Sequence, residues 1–278
     1  MIVRNDVCIF ALSINSSELT RKLLHSLYEN YTPEQIAERN FQVVCQGYES
    51  EMYSWLCSTY PEITFFSHEK VKGTISFIRD TLVKEYGILD KYKYVVFIDD
   101  DFKYGPKAFE QYNYFFEELD KNPDIGFVAM HRRIKTANRQ KISPLECPYP
   151  HDLGAISMRN GLVVRTSAIP DSGLFSTDIV YHEEMYMAMQ IYLNGYDIAK
   201  GWMDIFHQSN KAGLGCKLQK QYNISKSNEV MSSKKKAYEL GLFEIEDGRP
   251  FYDGQDCGHL NAKAHLMHSE NKARRLSE

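Results

Sequence analysis

The 278-residue chain has no CxxC pair and no Cys/His clustering of the kind a structural zinc site needs, so its six cysteines, Cys8, Cys45, Cys57, Cys147, Cys216 and Cys257, read as free thiols. It has no excess of positive charge: 33 Lys and Arg against 37 Asp and Glu leave −4, which excludes a uniformly basic nucleic-acid coat but allows a local basic patch. Near the N-terminus the apolar run from Val7 is short, follows Asp6 and lacks a small-residue cleavage site, so neither a signal peptide nor a membrane span is expected, and the cytosol is the default location. Internal repeats are absent. Apolar residues at 43% and charged residues at 25% argue against disorder and low-complexity architecture.

What is present suits one large domain with additions, since a domain averages roughly 150 residues. Val7–Ile14 is apolar and β-leaning, and Ser16 and Ser17 can cap a helix whose Leu19, Leu23, Leu24 and Leu27 share one face. The alternation continues with a strand at Phe41–Gln46, a helix near Glu49–Thr59, a strand at Ile63–Phe66, a helix at Thr74–Tyr86 and a strand at Tyr94–Ile98. Such alternation predicts an α/β fold whose mostly parallel sheet is covered on both faces. Beyond Asp101 we expect a helix near Lys107–Leu119, a strand at Ile125–Met130 and a long loop from His131 to Asp152. A strand-like Leu153–Arg165, a helix near Glu183–Leu193 and a short strand at Tyr196–Lys200 follow, and the last ~60 residues read as a helical appendage.

In parallel sheets ligands bind beyond the carboxyl ends of the strands, which directs attention to Asp99-Asp100-Asp101 after the apolar Val95–Ile98. Three consecutive carboxylates repel one another, and a hard divalent cation such as Mg²⁺ or Mn²⁺ relieves the repulsion while bridging to phosphate. The plainer alternative is a solvated acidic turn before a helix. Gly73–Asp80, with Arg79, opens a helix where backbone N–H groups and a guanidinium can face phosphate or ribose. Farther on, His182-Glu183-Glu184 opens another helix that runs to Gly195-Tyr196, and Phe206-His207 closes a strand-like segment.

The order of these motifs resembles the GT-A nucleotide-sugar glycosyltransferases, specifically their inverting branch, over about residues 7 to 210. Leu12–Leu27 resembles the family's first strand and helix, Gly73–Asp80 its glycine-to-Arg-Asn/Asp segment, Ile98–Asp101 its Asp-x-Asp signature, and Glu183-Glu184 its Glu-Asp pair. The resemblance implies a GT-A domain over 1–215, with a nucleotide-sugar half (1–105) and an acceptor half (106–215), and an extension over 216–278. It implies metal ligands Asp101, Asp99 and His207; donor-binding residues Ser13, Asn15, Gly73, Arg79, Asp80, Asp99 and Asp100; and a catalytic base Glu184, with Glu183 in reserve. Two positions depart from the pattern. The base is Glu where Asp is commoner, and Gln46-Gly47-Tyr48 lacks the acidic residue that contacts uracil, which leaves the nucleotide open although UDP-glucose is favoured.

Arg132, Arg133, Lys135, Arg139 and Lys141 form a basic segment without an acidic residue, on what the resemblance makes the acceptor side. Further lysines follow at 211, 217, 220, 226 and 234–236, with tyrosine and histidine interspersed, a composition suited to a nucleic-acid backbone and an exposed base. With a small chain in which no membrane anchor is expected, this resembles the phage DNA-base glycosyltransferases, including those that add a second hexose to glucosylated hydroxymethylcytosine. The partner expected is thus modified double-stranded DNA in the host cytoplasm, not a membrane. A polysaccharide or glycolipid precursor is the alternative acceptor; a haloacid-dehalogenase-like phosphatase and a non-catalytic binding module are the rival classes.

Overall fold

A computed structural model describes residues 5–14, 17–68, 83–132, 144–145, 161–170, 183–207, 233–245 and 258–278. Strand β1 (Val7–Ile14) is buried along its whole length, as a central strand covered on both faces must be. Helix α1 (Ser17–Asn30) lays Leu19, Leu23, Leu24 and Leu27 against the sheet. In the short α2 (Pro33–Ala37), Thr32 and Gln35 satisfy each other's backbone N–H groups as a capping box, with Pro33 in the first turn. Then come β2 (Phe41–Gln46), α3 (Ser50–Thr59), the edge strand β3 (Thr64–His68), a single turn α4 (Ile88–Lys91), β4 (Tyr94–Asp99), β5 (Phe102–Tyr104) and α5 (Ala108–Lys121). The chain goes on through β6 (Ile125–Arg132), β7 (Leu162–Arg165), α6 (Glu183–Leu193), β8 (Asp197–Met203), β9 (Ile205–His207), α7 (Ser233–Glu239), β10 (Phe243–Ile245), β11 (Gly258–Leu260) and α8 (Ala262–Ser277).

Seven strands form one sheet in the order β3-β2-β1-β4-β7-β6-β8. All neighbours are parallel except β7, which runs antiparallel to both β4 and β6. Alternate residues of β1 serve opposite faces: Cys8, Phe10 and Leu12 join the layer containing α6, and Val7, Ile9 and Ala11 join the layer containing α1 and α5. The buried Cys8 and Cys45 thiols are pushed up by desolvation, Cys45 to about 12, so neither is a reactive thiolate at neutral pH.

Two features add to the sequence reading. The strand-like stretch ending at Arg165 is antiparallel, and its described part is only Leu162–Arg165, residues 153–160 lying outside the description. Its Arg165 is buried and caps the C-terminus of α5, donating to the carbonyls of Leu119 and Asn122 while stacking over Tyr94. The C-terminal region is also more than helical, because β10 and β11 form an antiparallel ribbon between α7 and α8. Strands of three residues leave too little alternation to be seen in a sequence.

Helix α8 docks onto the α6–β8 corner. A Cβ on Gly195, whose φ is +85°, would come within 2.5 Å of the Lys272 backbone nitrogen, so only glycine lets the helix approach this closely. Asn271 donates to the Leu193 carbonyl at 2.6 Å, Lys272 reaches Asp197 at 2.6 Å, and Arg275 reaches Asp124 at 2.7 Å. His268 stacks flat on Tyr192 with ring centres 3.9 Å apart. Among the described residues no helix is long and apolar enough to cross a membrane.

Candidate active site

The acidic triplet sits at the carboxyl edge of the sheet, where β4 ends at Asp99 opposite Leu12 of β1. The chain turns through Asp100 and Asp101 into β5, which pairs antiparallel with β9 so that Phe102 lies opposite His207. That short ribbon carries His207 across more than a hundred residues of sequence to the position next to Asp101. Asp99 and Asp101 remain half-buried on either side of buried Asp100.

Asp100 turns inward. Ser13, fully buried at the end of β1, donates to its Oδ2 at 2.5 Å. Ser13 in turn accepts from Thr20 of α1 at 2.7 Å, and Tyr48, in the loop after β2, places its hydroxyl 2.6 Å from Ser13 and 2.8 Å from Thr20. Burial pushes the Asp100 carboxyl up to about 8; the charges of Asp99 and Asp101 add to the rise, and the Ser13 hydrogen bond opposes it. Burial likewise raises the Tyr48 phenol, so that group is neutral and available for hydrogen bonding.

The β8–β9 corner is fixed by Asp204, a residue the sequence reading missed. Its carboxylate accepts from the Lys107 N–H at 3.2 Å at the start of α5, its N–H donates to Gln111 at 2.5 Å, and its carbonyl accepts from Gly105 at 2.7 Å. A Cβ on Gly105 would lie 2.3 Å from the Asp204 carboxylate, so the close approach requires glycine. Tyr31 completes the corner, donating to the Gly105 carbonyl at 2.5 Å and stacking on Phe109 at 3.8 Å. This packing sets where β9, and with it His207, meets the acidic turn.

The other expected site residues fall as follows. Glu183 and Glu184 are the first two residues of α6, which ends at Leu193, shortly before β8 begins at Asp197; eleven helical residues rise about 16 Å, so both lie about that far from the amino end of β8, toward the carboxyl edge of the sheet. Arg132 ends β6 opposite Met203, at the same edge. The side chains of Glu183, Glu184, Arg132 and His207 lie outside the description, as do residues Asn15, Gly73, Arg79, Asp80, Arg133, Lys135, Arg139 and Lys141. Among the described side chains no three His, Cys, Asp or Glu groups converge. The arrangement nonetheless fits a hard divalent cation: two carboxylates flank the turn and an imidazole-bearing residue is brought beside it by strand register. Thr20 and Tyr48, which hold the site from beneath, carried no signal in the sequence, since their roles depend on how β1, β2 and β4 align.

No protein-family profile matches the chain, and no curated protein matches it in sequence. Its fold is similar to that of several solved structures. The structure of S. aureus TarS residues 1–349 in complex with UDP-GlcNAc aligns with a TM-score of 0.55 at 14% identity, over 76% of this chain and 60% of that one. The mannosyltransferase PcManGT from Pyrobaculum calidifontis, in complex with GDP-Man and Mn²⁺, aligns with a TM-score of 0.54 at 15% identity, over 99% of this chain and 74% of that one. Against a further TarS structure the chain spans 36% of the other's length, with a TM-score of 0.50. The seven-stranded, mostly parallel sheet with helices on both faces is thus an α/β fold shared with these solved structures.

Proposed function

We propose that the protein is a metal-dependent inverting glycosyltransferase that moves a hexose from a nucleotide diphosphate sugar to a hydroxyl acceptor. The observation that carries this reading is the β5–β9 pairing, which brings His207 beside Asp99–Asp101 at the ligand-binding edge of the sheet. Neighbours of the same fold hold UDP-GlcNAc, or GDP-Man with Mn²⁺, which supports a nucleotide-sugar donor. Asp99, Asp101 and His207 would hold Mn²⁺ or Mg²⁺, which when bound supplies Lewis-acid neutralisation of the charge that builds on the departing diphosphate. Asp99 also orients the donor ribose. Glu184, at the start of α6, accepts the proton of the attacking hydroxyl, with Glu183 as the second candidate. Ser13 and Asp100, assigned to the donor from sequence, face each other in the interior and act on the site from below. Asn15, Gly73, Arg79 and Asp80 complete the donor contacts in this reading, and UDP-glucose is the favoured donor.

For the acceptor, the basic segment Arg132, Arg133, Lys135, Arg139 and Lys141 favours modified double-stranded DNA, with the reactive hydroxyl on hydroxymethylated or glucosylated cytosine. A hydroxyl that projects into the major groove can be attacked without extruding the base, which avoids a few kcal/mol of unstacking. Incubation with a panel of nucleotide sugars and Mn²⁺, against modified DNA and against saccharide acceptors, followed by mass measurement, tests both halves. A hexose-sized mass gain on DNA is expected; transfer to saccharide alone removes DNA as the acceptor, and no donor turnover or binding removes the glycosyltransferase reading.

A further inference from the structure

Four side chains from distant parts of the chain meet beneath the acidic turn: Ser13 of β1, Thr20 of α1, Tyr48 after β2, and Asp100 after β4. Ser13 and Thr20 are fully buried and Asp100 nearly so, a setting in which a carboxyl group is costly to place unless it is hydrogen-bonded. Three hydroxyls close a triangle with sides of 2.6, 2.7 and 2.8 Å, and the Ser13 corner donates to Asp100 at 2.5 Å. Asp100 is the central residue of the acidic triplet, and its two neighbours stay half-exposed. Fixing the middle side chain of so short a turn fixes the direction in which both flanking carboxylates leave the backbone.

We infer that Thr20 and Tyr48 are positioning residues for the metal site: through Ser13 they clamp Asp100, and so set the angle at which Asp99 and Asp101 face a divalent cation and the donor diphosphate. This rests on the metal-dependent reading given above. Neither hydroxyl touches the cation or the sugar. The clamp also joins the acidic turn to the end of β1, the start of α1 and the β2–α3 loop, so these segments are registered to one another before the donor arrives.

The test uses the full-length protein and Mn²⁺ followed by electron paramagnetic resonance, titrated alone and with UDP or GDP. Tyr48→Phe and Thr20→Val each delete one hydroxyl function; Thr20→Ser retains it. Outer partners of metal ligands typically control affinity by about 10- to 100-fold, so Tyr48→Phe and Thr20→Val should weaken Mn²⁺ binding by at least about tenfold and alter the signal of bound Mn²⁺. Thr20→Ser should bind as wild type does. Because both hydroxyls act through Ser13, the double variant should be little weaker than either single one. Unfolding temperature without metal is measured alongside, since a merely structural role lowers it while leaving the Mn²⁺ affinity of the folded protein unchanged. If Thr20→Val fails to fold, Tyr48→Phe against Thr20→Ser makes the same comparison. Wild-type affinity in folded Tyr48→Phe overturns the inference and leaves the proposed function standing, whereas absence of Mn²⁺ binding by wild type, even with nucleotide, overturns both.

Discussion

The two ends of the sheet use carboxylates in opposite ways. At the amino ends of β6 and β8, Asp124 and Asp197 are matched by side chains from α8: Lys272 and Arg275 reach Asp124, while Lys272 and His268 reach Asp197. Arg275 holds the Asp124 carboxyl below the usual carboxylate range, and His268 and Lys272 do the same for Asp197. At the carboxyl end of β4 the acidic group is held by hydroxyls, and burial drives Asp100 in the other direction, up to about 8. One end is arranged to fasten a helix. The other gathers three carboxyl groups at the carboxyl edge of the sheet, where the proposed cation would bind and relieve their repulsion.

That contrast can be broken by substitution, and the largest effect is expected at the carboxyl end. Asp101→Ala should lower transfer by about 10³-fold or more, the scale set by loss of a charge-stabilising group, with the unfolding temperature unchanged or raised because a repelling charge is gone. Near-normal turnover in Mn²⁺-supplemented buffer would remove Asp101 from the site. Glu184→Gln should retain donor binding and lose on the order of 10²–10⁴ in transfer rate, since an amide cannot take the acceptor proton. A dead Glu183→Gln beside a normal Glu184→Gln would exchange the two roles.

Smaller effects belong to packing. Gly105→Ala should destabilise by about 1–3 kcal/mol, as the added Cβ displaces the Asp204 carboxylate and with it the β8–β9 corner; chemical denaturation measures this, and an unchanged midpoint would show that the corner yields freely. Asp197→Asn at the opposite end should cost about 1–3 kcal/mol, through the partners it leaves at His268 and Lys272, without altering Mn²⁺ affinity. The pH dependence follows from the same pairs. Asp124 and Asp197 lose their protons more readily folded than unfolded, so their contribution is complete above the unfolded value near 4 and drains away as pH falls below it. Stability measured from pH 7 down to pH 3 should therefore fall less steeply in Asp197→Asn than in wild type, and parallel curves would contradict the assignment.

The same two ends differ in how much the sequence discloses. Strand β2 at Phe41–Gln46 and helix α6 at Glu183–Leu193 have the expected bounds, because each is an apolar stretch with clear limits. The place of the Asp99–Asp101 cluster is legible, because acidic residues directly after an apolar run mark where the strand ends, and β4 does end at Asp99. The hydroxyl clamp is not, since Ser13 and Asp100 stand 87 residues apart and meet only through the β1–β4 register. Nor is the β5–β9 ribbon: three-residue strands carry no usable periodicity, and their pairing depends on the Asp204 corner. The docking of α8 depends in the same way on Gly195, whose need for glycine arises only once Lys272 lies against it.

The most direct measurement is calorimetric binding of a UDP- and GDP-sugar panel to wild type and to Asp101→Ala, each with and without Mn²⁺. Wild type should bind at least one nucleotide sugar only when Mn²⁺ is present, and Asp101→Ala, though folded, should lose that metal-dependent binding. Equal binding with and without the ion, or equal binding by the two proteins, would contradict this.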